Sequence, residues 1–317
     1  MKRIIYFILA LSFQYCFAQD PYFVQAHNNA LYLNPALAGS SISPVFSLGG
    51  RLQWMNLSAS YKTCNASYHQ LVKVLHGGIG AYLLYDNANE GTSEVSKFSL
   101  SYAAHFEFEN KFVLQAGFAG GYVDKKIEWD KLNFGDMIDP RYGNVYPASE
   151  SRPPSNIHFF DYGIGLLGYT KRFYIGCAAD HLNEPSEAFI KPDPGSNLPI
   201  KLLFNAGVNI PIGDSTYHIS INPDILYLNQ RSFNQTILSA TAKLYYLLLG
   251  AGMRINNGFI LSIGFENSFL RVMGSYDRAT VIPSIGFGNS LEVSIAFKIY
   301  GVHPSKGKWT PINIAAF

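Results

Sequence analysis

The sequence has little charge and little cysteine. Charged residues make up 15% of the chain, against about 25% in an average soluble protein, and the formal net charge is +2. So small a net charge argues against nucleic acid as a partner. Beyond the N-terminal signal described below, the chain keeps only Cys64 and Cys177, which are too few for a disulfide framework and have no zinc-like Cys/His spacing.

The sequence also lacks the familiar enzyme motifs. It contains no G-x-S-x-G, no H-E-x-x-H and no phosphate-binding loop. We therefore predict no catalytic residue, no cofactor and no metal site, and no enzyme activity. Some membrane barrels hydrolyse their substrates with a Ser and a His that form no short sequence motif. A hydrolase of this kind therefore stays open as an alternative. His69, which shares a strand face with Ser67, is predicted to be a hydrogen-bonding residue of a protein interior.

The first eighteen residues read as a secretory signal peptide. Lys2 and Arg3 precede an apolar run, and Ala18 ends a cleavage region before Gln19. A lipoprotein signal ending at Cys16 would need small residues before it, where the chain has the bulky Phe-Gln-Tyr. The sequence therefore predicts export, with residues 1–18 removed.

No apolar run of eighteen residues follows the signal, which argues against a helical membrane protein. Aromatic residues, by contrast, make up 15% of the chain, and glycine is generous at 28 residues. Together with the low charge, these features leave a large all-β protein, either a secreted sandwich or barrel or an outer-membrane barrel.

Alternation of residue types decides between these classes. In the segment 291–299, Leu, Val, Ile, Phe and Ile point one way, while Glu, Ser, Ala and Lys point the other. Segments 202–210, 97–104 and 112–122 alternate in the same way. The polar faces carry mostly Ser, Gly, Ala and Asn, which suit an enclosed interior better than open water. The pattern predicts a transmembrane antiparallel β-barrel with lipid outside.

Counting these segments predicts about fourteen strands. The long connections are all odd-numbered and the even-numbered ones are mostly short, as in outer-membrane barrels with short periplasmic turns. An even number of strands also returns both termini to the periplasm. Pro223 requires a bulge or break in the ninth strand. The predicted strands are 45–54, 60–69, 77–86, 94–105, 112–124, 159–169, 172–180, 201–210, 217–228, 234–244, 246–254, 258–265, 269–276 and 290–300.

The predicted organisation is a signal peptide 1–18, a periplasmic segment 19–44, a barrel 45–300 and a tail 301–317.

Several stretches of the chain resemble one known family. The opening QDPYFVQAHNNALYLNPALAG, the loop WDKLNFGDMIDPRYG and the strand segment GFILSIGFENSFLRVMGSYD are similar to the PorP/SprF family of type IX secretion system membrane proteins, as are GGIGAYLLYDNANEGT and DHLNEPSEAFI. The resemblance implies an outer-membrane barrel that works with the type IX secretion machinery. It also implies that the barrel binds a secreted protein carrying a C-terminal sorting domain, such as a gliding-motility adhesin, or a periplasmic component of the machine. A general porin is the main alternative.

Two regions are candidate interaction sites. Residues 21–39 are predicted to fold across or into the periplasmic mouth as a plug or rim, the alternative being a loosely ordered leader. The anchors of this segment would be Tyr22, Phe23, Tyr32 and Leu33, with a chain reversal at Asn34 and Pro35.

The second region is the loop 125–158, whose length is typical of functional or disordered loops. We expect a lid over the barrel or a partner surface; calcium binding is a weaker alternative because the spacing is not that of an EF-hand. The candidate residues are Trp129, Phe134, Asp136, Asp139, Pro140, Arg141 and Tyr142.

Overall fold

A computed structural model describes residues 20–25, 28–41, 43–56, 60–108, 112–139, 141–144, 146, 152–190, 194–213, 219–280 and 288–299. Fourteen antiparallel strands form one closed barrel, as the alternation predicts. The strands are β1 (Val45–Gln53), β2 (Tyr61–Val72), β3 (Gly77–Ala88), β4 (Ser93–Phe108), β5 (Phe112–Ile127), β6 (Asn156–Tyr169), β7 (Phe173–Asp180), β8 (Lys201–Val208, continued by Ile210–Ile212), β9 (Ile219–Gln230), β10 (Phe233–Leu244), β11 (Leu247–Arg254), β12 (Gly258–Glu266), β13 (Leu270–Ala279) and β14 (Asn289–Lys298).

The barrel closes between its first and last strands. β1 pairs with β14 along its whole length, from Val45 opposite Lys298 to Gln53 opposite Ser290. Closure leaves no open sheet edge, which is what a sheet needs in order to sit in lipid. Among the described residues, no helix is both long and apolar enough to cross a membrane.

The two faces of the wall have opposite chemistry. Val293 is 51% exposed on the outer face of β14, whereas its neighbour Glu292 is 1% exposed on the inner face. Exposed aromatic side chains form a band near each end of the outer face, as in other outer-membrane barrels. One band includes Tyr61, Tyr85, Tyr122, Phe160 and Tyr227, and the other includes Phe46, Phe106, Phe108, Phe173, Phe265 and Phe297.

The two ends of the barrel differ in the length of their connections. At the end that we call the loop end, the connections include 54–60, 128–155, 181–200 and 280–288. At the opposite turn end, where β1 begins and β14 ends, the connections are short: 73–76, 109–111, 170–172, 213–218, 245–246 and 267–269. This is the arrangement of loops and turns expected of the barrel class.

Pro223 breaks the ladder without breaking the barrel. β8 pairs with β9 as far as Gly207 opposite Asp224, and pairing resumes at Ile210 opposite Ile221 in the same register. Pro223 has no N–H to donate, so the ladder lapses opposite it. On the other side of β8, Asn209 donates its N–H to the carbonyl of Arg172, which continues the pairing with β7. The break predicted in the ninth strand therefore lies in its partner β8, whereas β9 is continuous.

Candidate functional site: the lumen and the loop end

The segment before β1 runs through the inside of the barrel; we call residues 20–41 the luminal segment. Its first described residue, Asp20, contacts Lys201 at the loop end. Its far end lies against the turn end, where a Cβ on Gly78 would meet the carbonyl oxygen of Ala38 at 2.1 Å. Residues 21–39 were predicted to fold across or into the barrel mouth where β1 begins, as a plug or rim. The segment lies inside the barrel and extends further than the mouth, because charged partners hold Asp20 at the opposite end.

Glycines in the wall make room for the luminal segment. The segment forms a short helix, Ala30–Leu33, and a 3-10 turn, Pro35–Leu37, that packs against β4, β5 and β6. A Cβ on Gly117 would lie 2.3 Å from the backbone nitrogen of Ala36, and one on Gly165 would lie 1.9 Å from Oδ1 of Asn34. Side chains at these two positions would therefore collide with the segment.

Asn34 is the polar anchor of this contact. Its Nδ2 donates hydrogen bonds to the carbonyls of Leu166 and Cys177, both at 3.1 Å, on neighbouring strands β6 and β7. Its Oδ1 accepts a hydrogen bond from the N–H of Ala36 at 2.8 Å and so caps the 3-10 turn that Pro35 begins. One side chain thus fixes the local turn and joins it to the wall, which accounts for the Asn-Pro pair in the sequence.

Replacing Gly117 by Ala is expected to displace the luminal segment, because the new Cβ would overlap backbone that cannot rotate away. Overpacking of this kind costs about 1–3 kcal/mol. We expect faster cleavage of residues 20–41 by protease in the folded barrel, measured by mass spectrometry. The matched control is Gly120→Ala on the same strand, where the new Cβ would have no neighbour closer than 3.7 Å. Equal cleavage of the two variants would contradict the packing role of Gly117.

All four predicted anchors of the segment lie inside the barrel. Phe23 and Leu33 are buried, and the Phe23 ring meets Tyr32 edge-on with 5.3 Å between centroids. The Tyr32 ring also packs on Tyr82 of β3 and lies 4.5 Å from Nζ of Lys201. The aromatic side chains therefore contact the wall as well as each other.

A first ion network holds the start of the luminal segment. Lys201 Nζ lies 2.8 Å from Asp20 Oδ2 and 3.1 Å from Asp180. His181 joins Asp20 to Asp161 with two contacts of 2.8 Å, one from each ring nitrogen. Burial lowers the pKa of His181, but the carboxylates of Asp20 and Asp161 outweigh it and raise the pKa to about 9. His181 is therefore protonated at neutral pH and carries a positive charge between two carboxylates.

A second network lies across the lumen from the first. Arg51 Nη1 is 3.1 Å from Glu292 and Arg51 Nη2 is 3.0 Å from Asp277; both carboxylates are buried. Arg254 also pairs with Asp277, at 2.8 Å, and donates to the Tyr22 hydroxyl at 2.8 Å. Tyr22 also lies under the guanidinium of Arg51, which is 4.8 Å from its ring centroid.

Glu292 connects this second network to the backbone of the luminal segment. Its two oxygens accept hydrogen bonds from the N–H groups of Val24 at 2.9 Å and Gln25 at 3.1 Å. Alternation along β14 predicts Glu292 on the inner face, but nothing in the sequence indicates Arg51 as its partner. The sequence did indicate that an ion pair exists in the lumen, because a charged residue on the inner face of a barrel strand usually needs a partner.

The loop after β5 contains a short β-hairpin that is stabilised by several hydrogen bonds. The strands Ile138–Asp139 and Gly143–Asn144 pair with each other. The Asp139 carboxylate accepts from the N–H groups of Arg141 and Tyr142, at 2.7 and 2.9 Å, and from the Tyr146 hydroxyl at 3.0 Å. These hydrogen bonds, led by the one from Arg141, lower the pKa of Asp139. Its carboxylate therefore stays ionised and fixes the turn.

The hairpin presents apolar and aromatic surface to solvent. Tyr142 is 70% exposed, and Phe134, Ile138 and Tyr146 are also exposed. The Arg141 guanidinium lies 5.6 Å from the Tyr142 ring centroid. Asp136 is exposed in the 3-10 turn that precedes the hairpin. Pro140 lies outside the described residues.

Trp129 does not belong to the hairpin; it connects the loop after β5 to the loop after β7. Its ring meets Phe189 edge-on at 5.9 Å, and Lys125 pairs with Glu187 at 3.0 Å. The predicted candidate residues thus divide into two separate places, the lumen and the loop end. Over the part of the chain that the structure describes, no three His, Cys, Asp or Glu residues form a group that could hold a metal ion.

Comparison with known proteins adds a family and a set of similar barrels. A family model described as "Type IX secretion system membrane protein PorP/SprF" matches residues 15–297. The P. putida toluene transporter TodX is 12% identical with a TM-score of 0.49, covering 86% of this chain and 94% of that one. The Acinetobacter baumannii outer membrane protein Omp33 is 6% identical with a TM-score of 0.44, covering 82% and 100%. No curated protein sequence matches this chain. The family match spans the luminal segment and all of β14 except its last residue.

Proposed function

Because the chain belongs to the PorP/SprF family of type IX secretion system membrane proteins, we propose that it holds a protein partner at the outer membrane and does not work as an open pore. The observation that carries this proposal is the luminal segment. This segment occupies the interior of the barrel, and two ion networks hold it there. A barrel filled in this way should conduct ions and solutes poorly. No catalytic step is part of the proposal.

We place the short turns in the periplasm and the loop end outside the cell, as is usual for outer-membrane barrels. Cleavage after Ala18 would then leave a mature chain whose first described residue, Asp20, lies at the loop end. The C-terminal end of β14 would face the periplasm and the type IX machinery. The outer face of the wall would contact outer-membrane lipid.

The partner surface that we propose is the hairpin of the loop after β5. Exposed aromatic side chains on a rigid frame are typical of binding hot spots, since little conformational entropy is lost when they are covered. Asp139 and the short strand pair supply that frame. The partner is a secreted protein with a C-terminal sorting domain, such as a gliding-motility adhesin.

The test is capture of the partner from detergent extracts by the tagged, folded barrel. Tyr142→Ala is expected to reduce the captured amount by about tenfold, because loss of an aromatic hot spot costs on the order of 1–2 kcal/mol or more. The control is Tyr245→Ala, which removes an exposed tyrosine at the turn end. Equal capture by the Tyr142 variant and the wild type would exclude the hairpin as the partner surface.

A further inference from the structure

A cavity with several polar residues in its lining lies inside the barrel between the luminal segment and the turn end. It has about 50 Å³ of free space, which is room for a few waters or a small polar group. Gln25 and Asn28 of the luminal segment line one side. Arg271 and Thr241 line the side toward the turn end, and Tyr174 lines the wall.

The cavity offers hydrogen-bond donors. Gln25 is 7% exposed, and its side-chain nitrogen Nε2 has no hydrogen-bond partner among the described residues. Its Oε1, in contrast, accepts from Ser294 Oγ at 3.1 Å, which fixes the direction of the amide. A buried donor without an acceptor is costly, so the arrangement favours an acceptor from outside the described chain.

Cationic side chains lie at the turn end of the lumen, and one of them, Arg271, also lines this cavity. Lys243, Arg271 and Lys298 face the lumen at the turn ends of β10, β13 and β14, and they share the single carboxylate of Glu266. The distances are 3.0 Å from Lys243, 3.6 Å from Arg271 and 3.6 Å from Lys298. We call these four residues the luminal cation cluster.

One more carboxylate lines the cavity. Asp224 accepts hydrogen bonds from Ser239 Oγ at 2.8 Å on both of its oxygens. Among the residues that the structure describes, the luminal cation cluster and Asp224 together hold three cations and two carboxylates, so these groups keep a net positive charge. An entering anion is therefore attracted, and the luminal segment closes the lumen beyond it.

We propose that the turn end of the lumen binds an acidic segment of a protein partner, with one carboxylate reaching Gln25 and Arg271 and a second meeting Lys243 and Lys298. The inference rests on the proposed function for the assignment of the turn end to the periplasm. The donors lie on two parts of the barrel: Gln25 is on the luminal segment, and the cations are on β10, β13 and β14 around the carboxylate of Glu266. A protein segment with two acidic side chains can therefore meet both parts. The partner is thus a protein segment rich in Asp or Glu on the periplasmic side.

The test uses the full chain in detergent and a fluorescein-labelled probe peptide, Glu-Ala-Glu-Ala, compared with Gln-Ala-Gln-Ala by fluorescence anisotropy. We expect the Glu peptide to bind at least about tenfold more tightly, because charge-assisted hydrogen bonds are the stronger ones. Arg271→Gln should weaken binding of the Glu peptide by about tenfold. Equal binding of the two peptides, or unchanged binding by the Arg271 variant, would overturn the proposal.

Two controls keep the result interpretable. Arg278→Gln removes an arginine from the same strand at the exposed loop end and should leave peptide binding unchanged. Lys298→Gln offers a second cluster variant in case Arg271→Gln does not fold, which is checked by heat-modifiable migration on SDS gels. Competition by sodium acetate at the concentration of the peptide would show a site for small carboxylates and overturn a peptide partner. Partner capture through Tyr142 is measured separately, so either proposal can fail without the other.

Discussion

Deleting residues 20–40 should raise the conductance of the barrel in planar lipid bilayers by about tenfold or more. A fourteen-strand barrel is wider than the eight-strand kind whose interior is filled by wall side chains alone. Here the luminal segment fills much of that width, between the glycines of β5 and β6 on one side and Glu292 on the other. Once the segment is removed, the small inward residues of the wall leave an open polar channel.

The full-length chain is the reference for this measurement, and Gly120→Ala is the control for a mutation in the wall that spares the segment. If the deletion impairs folding, Asn34→Leu offers a milder release, since it removes both hydrogen bonds to β6 and β7. A full-length chain that already conducts as freely as the deletion variant would contradict the proposed closure and favour a general porin.

Strand positions were predictable because the membrane imposes a two-residue period on the wall. β8, for example, begins at Lys201 as predicted, and the number of strands is correct. Errors concern the ends: β4 was predicted at 94–105 and runs from Ser93 to Phe108. The alternation of apolar and polar residues weakens where a strand leaves the lipid, although its hydrogen bonds to the neighbouring strands continue. A prediction from alternation alone therefore makes the strand too short. The family resemblance is confirmed by the match over residues 15–297.

The candidate sites were less predictable, because they depend on contacts between distant parts of the chain. The sequence indicates that Glu292 faces inward and that Asn34-Pro35 makes a turn. It does not indicate that Arg51 pairs with Asp277 across 226 positions of sequence. Nor does it explain Gly117, whose missing side chain has meaning only beside the backbone of Ala36. The path of the luminal segment follows from such pairings, and they are properties of the closed barrel.

Replacing Arg51 by Met should destabilise the protein by about 3–5 kcal/mol, the usual cost of removing one partner from a buried ion pair. Arg51 lies between Glu292 and Asp277, and all three side chains are 1% exposed. Arg254 would still neutralise Asp277, but Glu292 would keep only the N–H groups of Val24 and Gln25. The free energy of unfolding is measured by urea titration in lipid vesicles, with tryptophan fluorescence as the signal.

The double variant Arg51→Met with Glu292→Met separates the charge from the packing. It removes the isolated carboxylate, so it should recover part of the loss that the single variant suffers, since apolar replacement of a buried pair is often close to neutral. Recovery is not complete, because the N–H groups of Val24 and Gln25 lose their acceptor. Arg278→Met, at an exposed position of β13, should change stability by less than about 0.5 kcal/mol. If the double variant were as unstable as Arg51→Met alone, the isolated charge of Glu292 would not be the cause of the loss. The loss would then come from the packing of Arg51 over Tyr22 and from the unpaired N–H groups of Val24 and Gln25. In that case the luminal segment would be held at this point by packing and by its backbone hydrogen bonds more than by the ion pair.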